Sequence, residues 1–166
     1  MSILLAAGMI LAFSSLQVAV VSRLPLQNGM ADLVLLFVIA WSLNREAKQF
    51  YIPVLLAAGL MTFISSVPIP AVLLSYAFAA LITRLLVSRL WEMPVFSMLI
   101  LTLITTITQH VIYIVIMQIG GTPISLGESL NLVTLPSAFL NIILSLPIFL
   151  IVRDVQKIVY TEVTNE

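Results

Sequence analysis

The chain has 166 residues, 61% of them hydrophobic and only 8% charged, with a mean hydropathy of +1.20. Soluble domains carry about 45–50% apolar and about 25% charged residues, so seven basic and seven acidic side chains cannot supply a solvated surface here. That excludes an ordinary soluble enzyme, a disordered tail and a nucleic-acid binder with a basic face, and the absence of cysteine excludes disulfides, thiolate metal ligands and a cysteine nucleophile.

A spanning helix needs about 20 apolar residues at 1.5 Å each to cross a hydrocarbon core about 30 Å thick. Residues 1–22 are apolar and uncharged. They lack the positive start and small-residue cleavage site of a secretory signal, so they read as a retained first helix. Within it, Gly8-x-x-x-Ala12 is a small-residue pair that permits close approach of another helix or a homodimer seam. Between Arg23 and Arg45, the apolar stretch LVLLFVIAWSL after Asp32 is short for a crossing. Residues 24–31 supply the missing length, with Pro25 and Gly29 interrupting the regular backbone. From Gln49 to Thr83 no charge appears, and Val67-Pro68-Ile69-Pro70 divides the run, since paired prolines cannot sit inside a helix. Helices follow over about Tyr51–Ser66 and Ala71–Leu90. Pro94 suits a first helical turn, and Gly120-Gly121-Thr122-Pro123 stops the long span Val95–Ile119. A last helix occupies Ser129–Val152 despite Pro136 and Pro147. The expectation is an all-α integral membrane protein, residues 1–166 forming a single polytopic domain of about six spans.

Six spans put Arg45, Lys48, Arg84, Arg89, Arg153 and Lys157 on one side and Arg23 on the other. The positive-inside rule makes the first side cytoplasmic, with both termini. Trp41, Phe50, Tyr51 and Trp91 then fall in the cytoplasmic aromatic belt. Five spans are the rival: if Asp32–Leu43 dips without crossing, all seven basic residues are cytoplasmic and the N-terminus is outside. Six are preferred because an apolar run facing lipid must close its backbone bonds as a full helix.

Polar chemistry within the spans is thin. Asp32 is the one carboxylate placed where it can matter inside the membrane; it reads either as an N-cap or as a functional carboxylate. The fifth helix is the most polar span: Thr102, Thr105 and Gln109 share a stripe, and Thr106 and His110 the adjacent line. These are either interhelical hydrogen-bonding groups or part of a ligand site or proton relay. No second histidine or paired carboxylate stands at metal-ligand spacing, and no nucleophile–base pair is identifiable. Arg84 and Arg89 snorkel to the headgroups, with Arg89 in reach of Glu92. Neither an enzyme, a cofactor nor a nucleic-acid partner is expected.

Two stretches carry a family resemblance. Gly29–Ser42, GMADLVLLFVIAWS, and Thr134–Arg153, TLPSAFLNIILSLPIFLIVR, resemble the short second helix and the final helix of the rod shape-determining protein MreD family. Chain length, span number and the short basic tail are similar too. The acid that often ends that family's third helix has no counterpart in Gly59–Ser66, GLMTFISS.

The resemblance implies a non-enzymatic member of the bacterial elongation machinery in the inner membrane, organising lateral peptidoglycan synthesis. It implies binding of the single-span protein MreC and, through it, RodA, a penicillin-binding transpeptidase and MreB. It also implies a six-helix fold similar to the substrate-binding subunits of energy-coupling-factor transporters. Within this reading, Asn141 and Ser145 share one face of the last helix. Pro136 and Pro147 bend or widen that helix and free carbonyls. A partner groove or cavity is expected among the second, fifth and sixth helices, with Asp32, Gln109, His110, Asn141 and Ser145 as candidate partner- or pocket-binding residues and membrane lipid around it. The alternative is a substrate-capture subunit of a vitamin transporter. Those subunits dock through an Ala-x-x-x-Ala pattern in the first helix, and no two alanines here stand four apart.

Overall fold

Helices fill the charge-free intervals, as long apolar runs without water must satisfy their backbone groups internally. A computed structural model describes residues 2–19, 29–90 and 93–161, with the backbone alone for 88–90 and 161. Expectations for Arg23, Pro25, Trp91 and Glu92, and for the Arg89 side chain, lie outside the described residues. The helices are α1 (Ser2–Ala19), α2 (Leu33–Ser42), α3 (Tyr51–Ile64), α4 (Ile69–Leu90), α5 (Pro94–Ile119), α6 (Leu126–Ser129) and α7 (Leu135–Thr161). A π-helical turn, Leu130–Thr134, joins α6 to α7, and the described residues contain no strand. Four segments are long and apolar enough to cross a membrane: α1, Ile69–Val87, α5, and the continuous run Leu126–Tyr160. Large apolar side chains such as Leu4, Leu55, Phe63, Leu85 and Phe139 are exposed on the outside. Water would not tolerate that surface, whereas lipid does. The architecture is that of an all-α membrane protein.

Local chemistry sets the boundaries. Pro94 opens α5, where its missing N–H is no loss. Gly121 takes φ +85° just past its end, a conformation that favours glycine. Pro70 sits in the first turn of α4, and Ser65 turns to extended backbone to end α3. The last helical run starts earlier and ends later than its charge-free interval, since Arg153, Asp154 and Lys157 lie on helix surface. Pro136 explains the π turn. Its ring would collide with the carbonyl four residues back, and widening the turn lets Leu135 donate to Leu130 five residues back.

α1, α3, α4, α5 and α7 pack each on the next in that lateral order, and α2 touches all five. All ten residues of α2 are buried. At about 15 Å it is half the length of a spanning helix. This corrects the expected helix from residue 24: residues 29–32 are not helical, and residues 20–28 lie outside the described residues. The LVLLFVIA run does not face lipid, so the argument for a full-length helix there loses its premise. Trp41 is corrected as well. It is 1% exposed and packs on Phe37 at 5.5 Å between ring centroids, inside the core and not in an interfacial belt. Tyr51 is exposed, and Phe50 lies under the Arg84 guanidinium at 4.5 Å.

Candidate functional site

A helix that begins and ends among other helices leaves unpaired N–H groups at one end and carbonyls at the other. Asp32 and side chains from three neighbouring helices meet that demand. At the start, Asp32 is the N-cap: its Oδ1 accepts from Leu35 N at 2.9 Å. Gln17 of α1 accepts from Val34 N at 3.3 Å, and Asn141 of α7 accepts from Asp32 N at 2.8 Å. At the finish, Gln156 of α7 donates to the Trp41 carbonyl at 3.1 Å. Arg84 of α4 donates to the carbonyls of Ser42 and Asn44 at 3.4 and 2.8 Å. The acid therefore stands at the positive end of the helix dipole and the guanidinium at the negative end.

The carboxylate of Asp32 collects further donors. Tyr76 Oη of α4 donates to the pair of oxygens, 2.8 and 2.9 Å away, and Gln109 Nε2 of α5 donates to Oδ2 at 2.8 Å. A carboxylate only accepts, which fixes which side of the Gln109 amide faces it. The same Nε2 reaches Tyr113 Oη at 3.0 Å. On the other flank, Asn141 Nδ2 donates to Thr106 Oγ1 at 2.9 Å, so α7 and α5 are tied through the residue that holds α2. Counting residues along α4 from Ile69 to Tyr76, and along α5 from Gln109 to Ile119, puts this cluster about 10–15 Å in from the helix ends. With the length of α2 added, the sum matches a hydrocarbon core about 30 Å thick.

Of the sequence-predicted residues, Asp32, Gln109 and Asn141 meet at the start of α2. His110 does not join them: its Nδ1 lies 3.0 Å from Thr134 Oγ1 in the π turn. Ser145 is buried one turn further along α7 and donates to the Ile142 carbonyl. Asn141 and Ser145 face inward, so they do not line a lateral partner groove, and the enclosed α2 cannot line one either. Pro136 touches the backbone entering α2. A Cβ on Gly29 would stand 2.4 Å from Pro136 Cβ, and Ser137 Oγ accepts from Met30 N at 3.0 Å. Pro147 lies within α7, while Gly8 and Ala12 lie on the outward face of α1. Gln17, Tyr76, Tyr113, Thr134 and Ser137 escaped the sequence reading. Two of them carry a signal: Gln17 is a lone amide in an apolar helix, and Tyr76 sits well inside a span, away from the interface that tyrosine favours.

A cavity of about 480 Å³ opens beside the start of α2, lined by Asp32, Gln109, His110, Tyr113 and Ser137, with Met30, Met61, Ile64 and Val67 among the apolar walls. A second, of about 360 Å³, lies at the opposite end against Glu46, Arg153, Lys157 and Tyr160. Arg45 and Arg84 bond across that same end, to the carbonyls of Val87 and Asn44. We call it the basic end. Among the described residues no three His, Cys, Asp or Glu side chains gather as a metal site would require. A scan against protein-family models and searches of curated proteins and of solved structures each found no match for this chain.

Proposed function

We propose that the chain is a non-enzymatic membrane scaffold of the MreD type, crossing the bilayer six times with the basic end in the cytoplasm. In this reading it binds MreC and, through MreC, serves RodA, a penicillin-binding transpeptidase and MreB in lateral peptidoglycan synthesis. The observation that carries the reading is the outward face of α1. This helix stands at the edge of the lateral order, packs on α2 and α3, and turns Gly8, Ala12 and Ser15 outward with Leu4 and Leu11. A Cβ placed on Gly8 would meet nothing within 4 Å. Small residues on a lipid-facing surface allow a second helix backbone to approach closely, where packing and not hydrophobic drive supplies the affinity. A single-span partner fits that face. The interior supports the same role, since Gln17, Asp32, Tyr76, Gln109 and Asn141 bond together at the start of α2 and hold it as a fixed post.

One observation favours the alternative of a substrate-capture subunit: the cavity of about 480 Å³ beside Asp32, of a size that small-molecule sites have. Purification from its own membrane in mild detergent, followed by identification of bound proteins and metabolites, separates the two. The scaffold reading expects MreC at near-equal amount. Recovery of a vitamin at near-equal amount without MreC favours capture.

A further inference from the structure

We propose that the cavity at the start of α2 binds the primary ammonium group of a small organic amine, with Asp32 as its counter-ion. The inference concerns what this cavity takes, and it holds whether the chain is a scaffold or a capture subunit.

Asp32 is partly exposed and lines the cavity, and its side-chain partners among the described residues are neutral donors: Leu35 N, Tyr76 Oη and Gln109 Nε2. Among the described residues it makes no ion pair, whereas Asp154, at the other end, does. A carboxylate at this depth in a membrane is costly until a positive charge reaches it, and such groups mark ligand or ion paths. These neutral donors hold the carboxylate in place and orient it, and among the described residues no cation offsets its charge.

Two further acceptors line the same cavity. Gln109 is nearly fully buried and gives hydrogens to Asp32 and Tyr113, while its amide oxygen accepts no bond among the described residues. Thr134 Oγ1 stands 3.3 Å from the Ser129 carbonyl and 3.0 Å from His110 Nδ1; in the tautomer with the ring hydrogen on Nδ1, Thr134 donates to Ser129 and His110 donates to Thr134. That tautomer leaves Nε2 of His110 with a free lone pair, on a residue that lines the same cavity. A carboxylate oxygen, an amide oxygen and an imidazole nitrogen are the complement of the three hydrogens on a primary ammonium. The walls decide against a bare inorganic cation. A volume of about 480 Å³ lined by Met30, Met61, Ile64 and Val67 suits an apolar body attached to the charge.

The test uses the full chain in detergent with 2-phenylethylamine, and 2-phenylethanol, 3-phenylpropanoate and NaCl as matched controls. Calorimetric titration and the unfolding temperature are read together. Saturable binding and a raised Tm are expected with the amine alone among the four. Asp32→Asn preserves size and most hydrogen bonds, and Ser66→Trp adds bulk at another residue that lines the cavity. Each should weaken amine affinity at least tenfold while the ligand-free chain keeps a cooperative transition. Equal effects from the alcohol or from NaCl would overturn the proposal. So would unchanged affinity in both variants, or binding that emerges only when Arg23→Gln removes a cation of the chain itself. Each of these failures leaves the recovery of MreC, which concerns the outer face of α1, unaffected.

Discussion

At the scale of single residues, the interior is governed by what cannot be left unbonded. Asn141 is the clearest case: it accepts from Asp32 N and donates to Thr106. Asn141→Leu strips both bonds at a buried position, which costs about 1–3 kcal/mol for the donor left unsatisfied. A lowered unfolding temperature in detergent checks this, and recovery of MreC per folded molecule should stay the same, since Asn141 is 1% exposed. Gly29→Ala tests the entry to α2. The added methyl would fall 2.4 Å from Pro136 Cβ and 2.8 Å from Ser137 N, and a helix backbone cannot step aside as a side chain tip can. Overpacking of this kind destabilises by about 1–3 kcal/mol, again measurable as a shift in unfolding. Asp32 is legible in the sequence as a lone acid in an apolar stretch, and its residue type gives the N-cap role. Its ties to Tyr76 and the role of Gln17 are not. Those two side chains come from α4 and α1, and their convergence depends on packing that no spacing encodes.

At the scale of elements, the apolar runs gave the helices well, and the errors fall where backbone bonding departs from the regular pattern. α2 is short because its run is enclosed by five other helices, and side chains replace the backbone partners that a longer helix would provide. Composition registers apolarity but not whether lipid or protein surrounds it. Pro136 was legible as a disturbance, yet its form, a π turn reaching back to Leu130, follows from the partners available around it. Pro136→Ala should restore the missing N–H and let the turn tighten to regular helix, rotating Leu126–Thr134 relative to α7. Because the chain has no cysteine, the double variant H110C/T134C offers a clean disulfide readout of the His110–Thr134 contact. Efficient cross-linking is expected with Pro136 present and a several-fold lower yield with P136A. Equal yields would show that the proline does not set the turn.

At the scale of the whole molecule, charge gives direction. Arg45, Arg84, Arg153 and Lys157 gather at one end, and the loops Ser65–Val67 and Gly120–Ser125 lie at the other. On the proposed orientation, which puts the basic end in the cytoplasm, Ser66→Cys and Thr122→Cys should react with an impermeant maleimide in intact cells, and Gln49→Cys only after lysis. The reverse pattern would invert the orientation. The scaffold reading rests on partners meeting this molecule through its lipid-facing helices, α1 foremost. Its most direct test is to place photo-reactive p-benzoylphenylalanine at Ala12 on the outward face of α1, with Phe139 on α7 as the comparison position, and to irradiate cells. The account predicts an MreC adduct from position 12 and far less from position 139. An absence of adduct at position 12, while MreC still co-purifies with the unmodified chain, would contradict it.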